Sequence, residues 1–268
     1  AMMAGMLSVQ ALAVEDGIPV QEVIPIETPQ TPDATNSAPE SGIDEDTDPD
    51  ATQVEKTWGS DYDTATEFTI STEAELRAFA KMANEGKDFT GKTVKLTENI
   101  VLTGEQWIPI AAKANTFFAG TFDGQGNTIS GLTLTLEAPT ADVAFPGLFG
   151  KVSGTIQNVI LEDINISSPQ PNGGIASVLK DGTIDSCSVS GQIQVTANNQ
   201  GLAGGIVAMV QSSGTIKNCK NEADLSSQGG IVAGIAGRVA ETTITNCTNY
   251  GDIEGRNYLG GIVGQLDG

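Results

Sequence analysis

A short segment recurs four times in the second half of the chain, and this internal repeat constrains the fold more than any other feature. Each copy has a Thr-Ile pair, a variable residue, Asn or Ser, and then Val or Cys, at residues 154–159, 182–187, 214–219 and 242–247. A second, glycine-edged marker keeps step with it at residues 147–150, 173–176, 204–207, 233–237 and 260–264. A period of roughly thirty residues is typical of a solenoid in which each repeat forms one coil.

The residues between the markers predict strands rather than helices. Short β-branched runs without a helical period fit two or three strands per coil, and stacked coils would pair each strand with its counterparts about 4.8 Å away. Connections between parallel strands are generally right-handed, so we expect such a coil to be right-handed. We therefore predict an all-β fold, a right-handed, single-stranded parallel β-helix. Leucine-rich repeats also form solenoids of stacked coils, but their repeats are shorter and need a Leu pattern that is absent here.

The polar residue near the end of each copy predicts a bend with a ladder of side chains. In a left-handed conformation it would turn both flanking side chains inward and let the amides stack on successive coils. The bend residues are Asn158, Ser186, Asn218 and Asn246. The residues that follow them would form an interior structural ladder of Val159, Cys187, Cys219 and Cys247.

The three cysteines are an odd number for an exported chain, which raises the question of their chemistry. Equivalent interior places on successive coils favour small, buried and unreactive thiols. A disulfide or a metal cluster remains the alternative, although zinc sites use paired CxxC spacings that this chain lacks.

The first 146 residues divide into three parts. Residues 1–13 are apolar and end in Ala-Leu-Ala, which predicts a residual signal peptide and hence export. Residues 14–57 are acidic and rich in proline, which predicts a disordered linker. Residues 58–146 would hold a capping helix and the first coils. A capping box at 72–75 predicts a helix to about Glu85 that covers one end of the solenoid.

Short strands are predicted after this helix at Thr93–Leu96, Ile100–Leu102 and Trp107–Ile110. The glycine-rich segment at 118–132 reads as turns between strands. Its Asp123 lacks the further carboxylates and the terminal Glu of an EF-hand loop, so it does not indicate calcium.

Charge and composition exclude several classes of function. The formal net charge is −21 with 13 basic residues, which argues against nucleic acid and against anionic membranes as partners. No apolar stretch is long enough for membrane insertion. The chain has no histidine, so Ser-His and Cys-His nucleophiles and histidine zinc sites are impossible. We predict no cofactor and no metal site, and any catalysis would depend on carboxylates.

The glycine-edged Gly-Gly-Ile-Val-Gly units, the Gly-Thr-Ile-x-Asn-Cys units and the segment at 120–129 resemble the GLUG-type repeat region of Gram-positive bacterial cell-surface proteins. The resemblance covers about residues 71–268. It implies a secreted or cell-surface, adhesin-like β-helix within a longer multidomain chain. No sorting signal is present and the last repeat stops just after Gly264, so we expect the array at 147–268 to be truncated.

These observations predict a non-enzymatic module that presents a rigid face to glycans or host proteins. The candidate binding residues are Tyr250, Tyr258, Asp224 and Asp252, and the candidate binding loops are 167–172, 195–202 and 254–259. A purely structural spacer is the alternative. A polysaccharide hydrolase or lyase is a further one, because Asp224 and Asp252 share an offset and would lie on adjacent coils.

Overall fold

The computed structural model describes residues 57–198 and 201–267, which belong to one compact unit. The predicted signal peptide and nearly all of the predicted linker lie outside the described residues. The described chain is nearly all β, with one short helix and parallel strands stacked in about seven coils. The predicted β-solenoid is therefore confirmed.

The helix α1 spans Glu73–Asn84. The strands are β1 Glu67–Ile70, β2 Thr93–Leu96, β3 Ile100–Val101, β4 Thr121–Asp123, β5 Thr128–Ser130, β6 Thr133–Thr135, β7 Phe149–Val152, β8 Thr155–Gln157, β9 Ile160–Ser168, β10 Asn172–Gly173, β11 Ala176–Asp185, β12 Ser188–Val195, β13 Leu202–Gly204, β14 Val207–Lys217, β15 Lys220–Ser227, β16 Ile231–Ala233, β17 Ala236–Thr245, β18 Thr248–Asn249, β19 Ile253–Glu254, β20 Tyr258–Gly260 and β21 Val263–Leu266.

The strands form three parallel sheets that run along the stack. The first sheet contains β1, β2, β4, β7, β8, β11, β14, β17 and β21, the second contains β3, β5, β6, β9, β12, β15, β18 and β19, and the third contains β10, β13, β16 and β20. Corresponding repeat residues pair with each other, so that Ile184 lies between Ile156 and Ile216. All three isoleucines are fully buried. The repeat period thus sets the register of the sheets, because one repeat makes one coil.

The helix closes the first coil, as the capping box predicts. Thr72 Oγ1 accepts from the backbone N–H of Glu75 (3.3 Å), and the Glu75 carboxylate accepts from the backbone N–H of Thr72 (3.1 Å). Phe79 on the helix is fully buried, and its ring lies 4.9 Å from that of Phe89 and 5.8 Å from that of Phe122. Aromatic packing therefore joins the cap to the coils.

The predicted strand at Trp107–Ile110 is wrong. Ile110 makes a single bridge with Phe149, and the rest of the segment is irregular. Pro109 has no N–H to give to a ladder. The side chain of Trp107 is buried instead, and its Nε1 donates to the carbonyl of Leu148 (3.1 Å). Pro109 and the packing of Trp107 thus decide the conformation of this segment in place of strand pairing, and Ile108 stays exposed.

The glycine-edged marker forms a turn in which successive coils come very close. A Cβ on Gly204 would lie 1.8 Å from the carbonyl oxygen of Val207, and one on Gly205 would lie 2.2 Å from that of Gly234. The first position accommodates alanine, because Ala233 pairs with Gly204 and Gly260. At the second position, Gly174, Gly205 and Gly234, a larger residue would collide with the backbone of the next coil, which explains why glycine recurs there.

The four predicted bend residues adopt left-handed conformations, with φ between 52° and 55° at Asn158, Ser186, Asn218 and Asn246. The ladder is continuous where amides are present. Asn246 Nδ2 donates to Asn218 Oδ1 (3.2 Å), and Asn218 Nδ2 donates to Asp185 Oδ1 (2.9 Å). Ser186 is too short to continue it, and the neighbouring Asp185 takes its place as acceptor.

Asp185 is held ionised by this ladder. Burial raises the pKa of Asp185, but hydrogen bonds from Asn218, Ser186 and Lys217 outweigh this and hold it below its ordinary value. Lys217 Nζ also lies 3.2 Å from the carboxylate. The bend therefore fixes the backbone conformation and also stabilises a charged carboxylate.

The thiols lie at equivalent places on adjacent coils and are all free. Cys187 and Cys219 are buried, whereas Cys247 is half-buried because no described segment stacks on its outer side. Each donates to a backbone carbonyl, as Cys219 does to Lys217 (3.1 Å). The neighbouring thiol of Cys187 and burial raise the pKa of Cys219 to about 12. The Cys219 thiol and burial likewise raise the pKa of Cys247.

Candidate functional site: a polar groove on the second sheet

The outward face of the second sheet carries polar side chains in rows that cross the coils. On β12 the side chains alternate between buried Ile193 and Val195 and exposed Gln192 and Gln194. Parallel pairing repeats this alternation on the coils before and after it. The first row is Asn165, Gln192 and Asp224, and the second row is Ser167, Gln194, Ser226 and Glu254.

These rows line a cavity of about 290 Å³, which we call the polar groove. Its polar lining consists of Asn165, Gln192, Gln194, Asp224, Ser226, Asp252 and Glu254. The amides can donate and accept hydrogen bonds, whereas the carboxylates only accept. The strands β9, β12 and β15 beneath are paired on both sides, and β19, which carries Glu254, pairs with β15 at the edge, so the rows lie on a continuous sheet. Such a surface suits a polar ligand that offers many donors. Because the backbone of the rows is already fixed, binding costs mainly the conformational entropy of the side chains.

Asp224 and Asp252 lie on adjacent coils in the polar groove, at the offset that the sequence predicts. The next residues along, Leu225 and Ile253, pair with each other. The backbone N–H of Asp252 donates to Asp224 Oδ1 (3.0 Å), which ties one carboxylate to the following coil. Both side chains are exposed. Together they give this part of the groove a negative charge and hydrogen-bond acceptors.

Tyr250 lies on the same face as the two aspartates, and its side chain is 69% exposed. Its backbone N–H donates to Asn221 (2.8 Å), and the ammonium of Lys220 lies 5.5 Å from its ring centre. Lys220 also pairs with Glu222 (2.7 Å). The ring therefore stands on the sheet as an accessible aromatic platform beside a cation.

Tyr258 is not part of this surface. It lies on β20 in the third sheet, is 64% exposed and lines a separate cleft. The three predicted loops all contribute to that cleft, through Pro171, Gly201, Leu202 and Asn257. The four candidate residues thus divide between two surfaces, three on one and one on the other.

Sequence reasoning missed most of the groove. Asn165, Gln192 and Gln194 were not candidates, although the apolar-polar alternation of their strands could have indicated outward polar rows. It also missed an interior amide pair. Asn221 is fully buried, and its Nδ2 donates to Asn249 Oδ1 (2.7 Å), so an asparagine of the repeat stabilises the core instead of the surface.

No group of three or more cysteine, aspartate and glutamate side chains in residues 57–198 and 201–267 is arranged to hold a metal ion. Within the same part of the chain, the only helix is too short to cross a bilayer.

Fold and surface together define a β-solenoid with a polar, carboxylate-bearing face. No protein-family profile matches the chain, and no curated protein matches it. A solved structure is similar, namely the crystal structure of a "putative immunoglobulin A1 protease" from Bacteroides ovatus, with a TM-score of 0.57 and 25% sequence identity. The similarity covers 75% of this chain and 62% of that chain, so this chain spans less than two thirds of the protein it resembles.

Proposed function

We propose that the chain is an extracellular, non-enzymatic β-solenoid module that binds glycans through the polar groove. The observation that carries the proposal is the alignment of exposed amide, hydroxyl and carboxylate side chains on adjacent coils, centred on Gln192 and its partners Asn165 and Asp224. The GLUG-type resemblance, a place at the bacterial cell surface and membership of a longer multidomain chain belong to the same proposal.

The chemistry of the groove supports a sugar rather than an apolar ligand. Sugar hydroxyl groups both donate and accept, and the groove offers amides that do the same next to carboxylates that accept. Neighbouring strands are about 4.8 Å apart, so one oligosaccharide can contact several coils at once. Tyr250 adds an exposed ring on the same face, on which a sugar ring can stack. The groove lacks a deep apolar pocket, since its only apolar lining comes from Ile193 and Leu225.

A hydrolase is the first alternative function. Asp224 and Asp252 lie on adjacent coils, and the strand spacing of about 4.8 Å is near the roughly 5 Å carboxyl separation of retaining glycosidases. Asp224 Oδ1 is occupied by the backbone N–H of Asp252, however, and both carboxylates are exposed. The hydrogen bond and the exposure of both carboxylates favour ligand binding over catalysis at this pair.

Proteolysis is the second alternative, and the name of the Bacteroides ovatus protein favours it. In the present chain the absence of histidine excludes the common Ser-His and Cys-His nucleophile systems. Cys219, whose pKa is raised and whose thiol is buried, does not offer a reactive thiolate.

The proposal is tested by screening residues 1–268 against an array of bacterial and host glycans. Binding to a glycan hit is then measured for Gln192→Ala and Asp224→Asn. We expect each substitution to weaken binding by about tenfold, the loss of a hydrogen bond in a preorganised site. Gln211→Ala is the matched control, because Gln211 is an exposed glutamine on β14 in a different sheet.

The other outcomes separate the alternatives. Release of reducing sugar that is lost in Asp224→Asn would establish the hydrolase. Cleavage of immunoglobulin A by the purified chain would establish the protease. Absence of glycan binding and of both activities would leave the structural spacer.

A further inference from the structure

A second concave surface lies where the third sheet turns into the first. It is a cleft of about 470 Å³ that we call the Arg238 cleft. One wall is a row on the third sheet in which Ile231 pairs with Leu202 and with Tyr258. The other wall is a row on the first sheet in which Arg238 pairs with Met209. Parallel register therefore builds the cleft, and it runs along the stacking direction.

The guanidinium of Arg238 is poorly satisfied within this cleft. An arginine has five N–H donors in a planar fork that matches a carboxylate. Here Nη2 donates to the thioether of Met209 (3.0 Å), which is a weak acceptor. Nε is buried and makes no hydrogen bond to any residue in the described ranges. Its ion partner Asp267 lies 3.4 Å away, and the Asp267 side chain is 44% exposed.

The remaining lining is apolar on one side and aromatic at the open end. Leu202 is buried, Ile231 is half-buried, and the ring of Tyr258 is 64% exposed at the rim. Apart from its ion partner Asp267, this cation lines the cleft together with mainly apolar side chains, in a chain whose net charge is −21. The Arg238 side chain is 39% exposed, so an incoming carboxylate can reach the guanidinium from solvent.

We infer that the Arg238 cleft binds the carboxylate of an acidic sugar residue, with the ring of Tyr258 stacking against the sugar. This is a second site, separate from the polar groove in position and in ligand charge. Arg238 supplies paired donors to the carboxylate, and Tyr258 supplies the apolar face that the C–H side of a pyranose ring contacts.

A peptide ligand fits the cleft less well. Extended peptides gain most of their affinity from main-chain pairing with a free sheet edge. The wall strands β13, β14, β16 and β17 are each paired on both sides by the neighbouring coils. Recognition in the cleft therefore depends on side chains, which favours a ring that carries a carboxylate.

The test uses residues 1–268 and two probes with the same sugar backbone, namely trigalacturonic acid, whose carboxyl groups are ionised, and its methyl ester, in which they are neutral. Affinities are measured by isothermal titration calorimetry at fixed ionic strength. We expect the acid to bind at least about tenfold more tightly than the ester, the factor of one charge-assisted contact. Arg238→Gln should remove this preference, and Tyr258→Ala should weaken the binding of both probes by about threefold to tenfold.

Matched variants distinguish a specific contact from a general effect of charge. Arg256→Gln removes the same charge from an exposed loop residue and should change the affinity for the acid by less than about twofold. Asp267→Asn removes the carboxylate that competes for Arg238 and should tighten binding of the acid by about threefold. This inference is judged by the ratio of the affinities for acid and ester, which Arg238→Gln should change, whereas the proposed function is judged by the glycan hits that Gln192→Ala weakens, so the two fail independently.

Several results would overturn the assignment. These are equal affinity for acid and ester, an equal loss in Arg256→Gln and Arg238→Gln, and no binding of trigalacturonic acid to the unmodified chain. Arg238-dependent binding of an aspartate-rich peptide without binding of the sugar acid would also overturn it in favour of a protein partner. Tyr258→Ala changes an exposed side chain, so the inference can be tested even if Arg238→Gln fails to fold.

Discussion

Replacement of Asn218 separates the two contributions of the bend to stability. Asn218 Nδ2 donates to Asp185 (2.9 Å), and Asn218 Oδ1 accepts from Asn246 (3.2 Å). Its φ of 55° is also unfavourable for a residue with an ordinary side chain. Asn218→Gly removes the hydrogen bonds and relieves the conformational strain, whereas Asn218→Ala removes the hydrogen bonds and imposes the strain.

The magnitudes follow from these contacts. Together the two hydrogen bonds contribute about 1–2 kcal/mol to the free energy of unfolding. This is the low end of the range for a pair with one charged acceptor, because the site is exposed to water. The left-handed conformation costs a non-glycine residue about 1 kcal/mol more. We therefore expect Asn218→Gly to lower the free energy of unfolding by about 1–2 kcal/mol, and Asn218→Ala to lower it by about 2–3 kcal/mol.

Urea unfolding followed by circular dichroism measures both variants, with the m-value checked for constancy. Asn165→Ala is the control, since it truncates an exposed asparagine on a strand and should change stability by less than about 0.5 kcal/mol. Equal destabilisation by glycine and alanine would refute the conformational argument. A change below the control in both variants would refute the ladder itself.

Three further predictions concern the coil turn, the bend and the thiol ladder. Gly205→Ala should lower the free energy of unfolding by about 3 kcal/mol, because its Cβ would meet the Gly234 carbonyl oxygen on the next coil. Gly261→Ala, at the equivalent place in the last described coil and with no atom within 4 Å, is the control for urea unfolding. The pKa of Asp185 is lower in the folded than in the unfolded chain, so its contribution to the free energy of unfolding is complete above about pH 4 and is lost as the pH falls through the folded pKa. Asp185→Asn should flatten this loss of stability in acid, and an unchanged dependence of stability on pH would contradict the argument. Cys219 should react with a thiol reagent at pH 8 more than about a hundredfold slower in the folded than in the urea-unfolded chain, because its pKa is about 12 and its thiol is buried; comparable rates would show that the coils open readily.

The repeat allowed much of the architecture to be predicted from the sequence. Because one repeat forms one coil, equivalent residues lie together on adjacent coils. Alignment of the chain with itself therefore predicted the left-handed bends, the interior position of Ile184 and Ile216, and the adjacency of Asp224 and Asp252. The capping box predicted the helix for a local reason, namely hydrogen bonds within a few residues.

Features outside the period were not predictable in the same way. The Trp107–Ile110 segment has the apolar pattern of a strand, but a proline and a tertiary contact of the indole decide its conformation. Asn221 looks like a surface residue in sequence, yet a partner on the next coil satisfies its amide inside the core.

The sequence by itself thus determined the coil, its glycine turns, its bends and the faces on which most side chains lie, because these depend on spacing along the chain and on local backbone preference. Only the tertiary structure decided which faces approach each other. The Arg238 cleft lies where the coils pass from the third sheet into the first, and this connection brings Tyr258 on one sheet and Arg238 on the other into the lining of one cleft. The angle between sheets depends on the packing of all the coils, and no single repeat encodes it.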